Sequence, residues 1–293
     1  MFYTVNMDIT LAWVAALVTA LEAIIIKLAS KSLVRSPWLF NILWLGFALP
    51  PIVALALLKG GGWPADWPFL LAAGVSSAGF YVLYTLAIYK LDVTTMTPLY
   101  AVRTACSVVL GFALLGESVS ALGLALVCVI IAASPLASYD ERLRLKAFLQ
   151  KHILLALLAM VFLAFVGYFT SKSVNTNGYA TTVLWQDILT LVILLPTLRF
   201  VRLGQEKFTR VSITAFMLLG LCSFIYTATT TYAYAHSLSL SSIIVSLPFS
   251  MIFAYVLSRK YPELLEKHPP RVYAVRFTGA AVMVGGAIWL SLL

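Results

Sequence analysis

Residues 9–28 read ITLAWVAALVTALEAIIIKL. Only Glu22 and Lys27 interrupt the uncharged run. At about 1.5 Å of rise per residue, such a segment is about 30 Å long as a helix, the thickness of a bilayer's hydrocarbon core. Nine similar runs follow, at about 38–58, 68–89, 94–115, 119–138, 153–173, 179–198, 212–235, 240–258 and 273–292. Turn residues separate them: Ser36-Pro37, Gly60-Gly61-Gly62, Asn175 to Gly178, and His268-Pro269-Pro270. The whole chain has the same character. Of its 293 residues 62% are hydrophobic and 11% charged, and the mean hydropathy is +0.98. A soluble domain carries about 25% charge, and a disordered one is poor in apolar residues. The expected fold class is therefore an all-α integral membrane protein of ten transmembrane helices. The first run lacks the pattern of a cleaved signal and is expected to be retained.

The +9 net charge points to topology and anionic lipid rather than nucleic acid, because the basic residues are sorted by side. Seventeen of the 20 Lys and Arg fall in loops that follow odd-numbered spans, counting Lys27 and Arg276 with them. Only Lys59 and Lys172 mark the other side, and Arg103 lies within a span. The positive-inside rule then places the odd loops in the cytoplasm and both termini outside. Cys106, Cys128 and Cys222 all sit in apolar runs and read as buried small residues without a disulfide. Residues 139–152, with Arg142, Arg144, Lys146 and Lys151, read as a basic amphipathic linker touching anionic headgroups.

The linker divides the chain into 1–138 and 153–293, and the halves repeat one another. Ser30-Lys31-Ser32 recurs as Ser171-Lys172-Ser173, and Trp44 as Trp185, both 141 residues on. Gly74, Ser77, Ala87 and Glu117 recur 146 residues on as Gly220, Ser223, Ala233 and Glu263; Gly123 matches Gly279. Five spans per half is an odd number, so the second half inserts upside down. Inverted repeats of this kind mark transporters, with substrate bound near the midplane.

Gly111-Phe-Ala-Leu-Leu-Gly-Glu117-Ser, followed by Gly123 and an apolar run, resembles the EamA-like repeat of the drug/metabolite transporter superfamily, which carries a Leu-Gly-Glu turn between its fourth and fifth helices. The second copy, Tyr261-Pro262-Glu263 and then Thr278-Gly279-Ala280-Ala281, is more degenerate. The first helix also resembles that of the small four-helix multidrug members, whose membrane carboxylate couples protons to cation export. The resemblance implies a basket of two inverted five-helix repeats around a cavity lined by helices 1, 3, 4, 6, 8 and 9. Many members are described with cytoplasmic termini, opposite to the charge count here.

Charges at membrane depth face a cavity or a partner. Glu22, Arg103 and Asp187 are the three that stand out. Glu22 is about 140° around the helix from Lys27, so that lysine does not neutralise it. Its carboxyl group can carry a proton or bind a cation, which makes it the coupling candidate; the alternative is a structural pair with Arg103 or a tyrosine. Arg103 can clamp a carboxylate or phosphate in its planar fork, or serve as counter-ion to Glu22 or Asp187. Asp187, on a helix peripheral in the family, is expected to pair structurally. Polar stripes at spacings of three and four line one face of each helix: Ser77, Tyr81 and Tyr84; Tyr100, Arg103, Thr104 and Ser107; Ser223, Thr227, Thr230 and Tyr234; Ser242, Ser246 and Ser250. The expected substrate site is Glu22, Tyr81, Tyr84, Tyr100, Arg103, Thr104, Thr227, Thr230, Ser246 and Ser250. Tyr226, Tyr232, Trp185 and Phe249 are expected to add aromatic walls. Pro98 and Pro248 are expected to kink spans 4 and 9. Gly123, Cys128 and Ala132, and Gly279, Ala281 and Gly285, read as small-residue faces that support the basket or a homodimer.

No HExxH, CxxC, GxSxG or Walker A motif occurs, so an enzyme and an ATP-driven pump are not expected. No metal or other cofactor is expected. His152, His236 and His268 fall at span ends or in loops. The expectation is a secondary transporter of a small polar or zwitterionic metabolite such as an amino acid, working by alternating access and coupled to protons. An organic cation exporter is the alternative; a membrane-embedded enzyme or assembly subunit is the rival class. The absence of an N-x-Ser/Thr site and of a retention tail favours a prokaryotic cytoplasmic membrane.

Overall fold

The computed structural model describes residues 2–91, 96, 99–118, 120–137, 151–201, 206, 208–258 and 270–292. The linker at 139–150, Pro98 and the second-copy motif around Glu263 lie outside them. The described residues form helices and no strand: α1 (Phe2–Ser32), α2 (Pro37–Leu58), α3 (Pro68–Ile88), α4 (Tyr100–Leu115), α5 (Ala121–Ala137), α6 (Lys151–Asn177), α7 (Tyr179–Leu194), α8 (Arg210–His236), α9 (Leu238–Val245), α10 (Phe249–Leu257) and α11 (Pro270–Leu292). Eight segments are long and apolar enough to cross a bilayer, with α9 and α10 counted as one. Two shorter apolar helices, at Tyr100–Leu115 and Ala121–Ala133, coincide with the fourth and fifth expected spans. Pro248 interrupts the ninth, since it has no N–H to continue the ladder begun in α9.

The packing order follows the residues each helix turns inward. α3 lies on α6, and α1 on α8; α2 packs on α8 and α7 on α3. α4 lies against α6 and α9, and α1 against α9 and α10. Large side chains such as Val109, Phe112, Val129, Met217 and Ile288 point outward, where lipid rather than water is the solvent. α5 and α11 pack chiefly on each other; their seam, Val127, Ile130 and Ala133 against Met283, Ala287 and Leu290, joins a core shared with α1, α4 and α9. Gly123 and Gly279 are buried, but Cys128, Ala132, Ala281 and Gly285 face outward. A helix apolar on every side gives no rotational cue, so the small-residue stripe is not the packing stripe. Cys106 and Cys222 are likewise only partly buried.

The Leu-Gly-Glu turn has a structural task. Gly116 adopts φ +68°, the left-handed conformation that ends a helix without Cβ strain. The Glu117 carboxylate then accepts hydrogen bonds from the backbone N–H of Leu238 (2.5 Å) and Ser239 (3.0 Å), the exposed start of α9. Gly111 leaves room for it: a Cβ there would stand 2.6 Å from the Glu117 carboxylate and would also strike Ser239 Oγ. Carboxylates at helix N-termini satisfy orphan donors and the positive end of the dipole. Glu117→Ala is therefore expected to destabilise the protein by about 1–2 kcal/mol, read as a lower melting temperature in detergent; an unchanged value would leave the turn without this role. Glu206 acts similarly on the entry to α2, accepting from Arg35 N (3.1 Å) and Ser36 N (2.9 Å).

At the end of the bundle poor in Lys and Arg, Trp63, Trp67 and Trp185 pack edge to face, with centroids 4.8–5.4 Å apart. Trp185 donates to Gly62 O (2.8 Å). Tryptophan is enriched at the headgroup level.

Candidate functional site

Every expected site residue except Thr104 lines one of three adjoining cavities inside the bundle. The first is walled by Glu22 of α1, Trp44 of α2, Tyr81 and Tyr84 of α3, Tyr100 and Arg103 of α4 and Tyr226 of α8. The second holds Ser77 and Tyr81, Thr170 of α6, Gln186 and Asp187 of α7, and Thr227, Thr230 and Tyr234 of α8. Phe80, Tyr81, Leu163 and Tyr226 are common to both. The third lies between α1, Tyr100, Ser246 and Ser250. Thr104 is buried, and its hydroxyl donates back to Tyr100 O one turn earlier (3.2 Å). Serine and threonine commonly satisfy themselves in this way within a span. Ser246 (to Ser242 O, 2.6 Å) and Thr230 (to Tyr226 O, 2.7 Å) do so too while remaining on cavity walls.

Glu22 is 6% exposed. Its carboxylate accepts a hydrogen bond from Ser223 Oγ, which in turn accepts from Trp44 Nε1 (2.5 Å). The chain Trp44–Ser223–Glu22 ties α2, α8 and α1 together at the cavity wall. Among the described residues neither Arg103 nor a tyrosine is its hydrogen-bond partner. In the sequence Trp44 marks only the repeat, and one turn from a second buried aromatic, Phe40, it has the pattern of a core residue; its N–H partner, Ser223, is 179 positions away.

Arg103 is 1% exposed. Its Nη2 donates to the Tyr234 hydroxyl, and its guanidinium carbon stands 6.0 Å from that ring's centroid. Nε and Nη1 are buried without a hydrogen-bond partner. Among the described residues no ion pair joins it to Glu22 or Asp187. A guanidinium has five donors and no acceptor, so this one presents an unmet, positively charged fork toward Tyr100 and Tyr226.

Asp187 departs from expectation. It faces the second cavity rather than a structural partner, is 6% exposed, and makes no hydrogen bond or ion pair among the described residues. Helices α2 and α7 thus join those expected to line the interior. Two further charges, counted with the loops, are also buried. Lys27 donates to Ile88 O (3.0 Å) and Leu91 O (2.6 Å), at the negative end of the α3 dipole. Arg276 is 2% exposed within α11. Of the four expected aromatic walls only Tyr226 is one. Tyr232 packs on Tyr179 and His236, Phe249 on Trp13, and Trp185 belongs to the tryptophan cluster.

The comparisons bear on this arrangement. Residues 6–139 match the EamA-like transporter family. That stretch, a little under half of the chain, is similar to the EamA-like transporter family. The match covers the first five spans, including the Leu-Gly-Glu turn and both Glu22 and Arg103, and agrees with the resemblance read from the sequence. A solved structure, described only as the crystal structure of a protein, superposes with a TM-score of 0.70 at 14% identity, covering 96% of this chain and 94% of that one. It shares the fold across both halves. No curated protein matches the chain significantly. Eight segments long and apolar enough to cross a bilayer are consistent with a multi-pass membrane protein of this kind.

Proposed function

We propose that this EamA-like protein is a secondary transporter that moves a small zwitterion such as an amino acid across a prokaryotic cytoplasmic membrane by alternating access. The observation that carries it is the unmet guanidinium of Arg103 in the same cavity as the carboxylate of Glu22. Membrane interiors tolerate such groups where a ligand or partner compensates them. A substrate carboxylate answers Nε and Nη1 in bidentate form, and an ammonium answers Glu22. An organic cation would suit the walls of Trp44, Tyr81 and Tyr226 but would leave Arg103 unanswered.

Alternating access needs two halves that rock about the site. The packing supports this reading by its reciprocity: α3 on α6 mirrors α8 on α1, and α2 on α8 mirrors α7 on α3. On this reading residues 1–138 and 153–293 are the inverted repeats. The basic odd loops then face cytoplasmic anionic lipids, both termini lie outside, and the outward small residues of α5 and α11 offer a face for a homodimer.

Glu22 is the group we assign to proton coupling, since ammonium and proton compete for one carboxylate. In proteoliposomes with an imposed pH gradient, the protein is expected to drive labelled amino acid flux, and Glu22→Gln to lower gradient-driven flux at least tenfold. Undiminished flux in the variant would move coupling elsewhere. No flux of any amino acid by the wild-type protein would sink the reading.

A further inference from the structure

A zwitterion leaves one charge in the interior without an answer. Asp187, 94% buried, projects into the second cavity among Ser77, Thr170, Gln186, Thr227 and Thr230. Thr170 donates its hydroxyl to Gln186 Oε1 (2.6 Å), and Thr230 turns its own to Tyr226 O. Both hydroxyl protons are thereby committed within the wall, away from Asp187. The titratable groups facing Asp187 are Tyr81 from α3 and Tyr226 and Tyr234 from α8, with Glu22 of α1 beyond Tyr81. α6 contributes Leu163, Val166 and Thr170 to this cavity, and α2 has no titratable side chain. Among the described residues no cation is paired with Asp187. A carboxylate so placed is costly until a cation meets it.

The first and second cavities adjoin across the shared walls Phe80, Tyr81, Leu163 and Tyr226, so an elongated ligand that parts those side chains spans both. Together they present one cationic group and two carboxylates. We infer that the substrate is a dibasic amino acid, bearing one carboxylate and two cations. Its α-carboxylate meets Arg103, its α-ammonium Glu22, and its distal ammonium or guanidinium Asp187. The methylene stem runs along Phe80 and Tyr81. The inference rests on the zwitterion reading and extends it.

The test is counterflow in proteoliposomes with no pH gradient, comparing labelled lysine and ornithine with norleucine, which has the same backbone and no distal cation. The wild-type protein is expected to exchange lysine at least tenfold faster than norleucine. Asp187→Asn lowers that ratio at least tenfold, and Asp187→Glu restores part of it. Thr227→Val lowers the same ratio and serves where the Asp187 variant is not recovered folded. Wild-type exchange that favours norleucine overturns this inference and leaves the amino acid reading standing. Absence of all exchange overturns both. A variant that slows lysine and norleucine equally overturns the assignment of Asp187 to the substrate.

Discussion

Arg103→Gln lowers transport at least a hundredfold and raises the melting temperature of the detergent-solubilised protein. The two effects have one origin. Among the described residues Nε and Nη1 have no hydrogen-bond partner, so their donors are left for a ligand. Two charge-assisted hydrogen bonds are worth about 3–6 kcal/mol together, and each 1.4 kcal/mol is about tenfold in affinity. The same unmet charge burdens the empty protein, because a buried guanidinium held by one tyrosine hydroxyl recovers little of its hydration. Glutamine fills similar space, can still reach Tyr234, and carries no charge. Arg103→Lys keeps the charge without the fork and should fall between the two in transport. On the proposed amino acid reading, counterflow together with a thermal melt reads both arms. A fall in melting temperature would instead make Arg103 a structural element.

Gly220→Ala is expected to destabilise the protein by about 3 kcal/mol and to abolish transport. A Cβ at Gly220 would stand 2.5 Å from the Phe47 carbonyl carbon and 2.6 Å from its oxygen. These are backbone atoms, so no rotamer change relieves the clash; α8 and α2 must move apart. Trp44 and Ser223 lie one turn from Phe47 and Gly220 on the same two helices, and their 2.5 Å hydrogen bond cannot survive that separation. The chain to Glu22 is broken with it. Gly46→Ala is the control, since a Cβ there meets nothing within 4 Å and alanine is the better helix former. Melting temperature and transport should both fall for Gly220→Ala and hold for Gly46→Ala. If the two variants behaved alike, the close approach of α2 and α8 would be of no consequence.

The features legible in the sequence are those with a local physical signature. Apolar run length marked the helices, Pro248 the break in the ninth span, and Gly116-Glu117 the turn between α4 and α5. Polar stripes at helical spacing brought Tyr81, Tyr84, Tyr100 and Arg103 to one cavity. What escaped depends on helix rotation in a medium as apolar as the protein's own core. Outside and inside are both hydrophobic there, so only polar residues report rotation; on α7 the signal is Thr182, Gln186 and Thr190 at spacings of four, buried on one side with Asp187. Cys128 and Ala281 carry no such signal and face outward. Trp44 was hidden differently: its indole N–H finds Ser223 across 179 positions of chain, a pairing no spacing rule announces. Lys27 reads as a loop charge because its acceptors are backbone carbonyls of another helix, and backbone acceptors leave no mark on sequence.

Glu117 imposes an order on assembly. The N-terminus of α9 takes its carboxylate from a residue 121 positions earlier, on the opposite side of the linker. A ribosome delivers Glu117 well before α9, so the later half is completed by closing onto an earlier one already in the bilayer. Severed at the linker, the first half would hold an acid with nothing to bind and the second a helix start with bare N–H groups. Co-production of the two pieces would supply each with what it lacks.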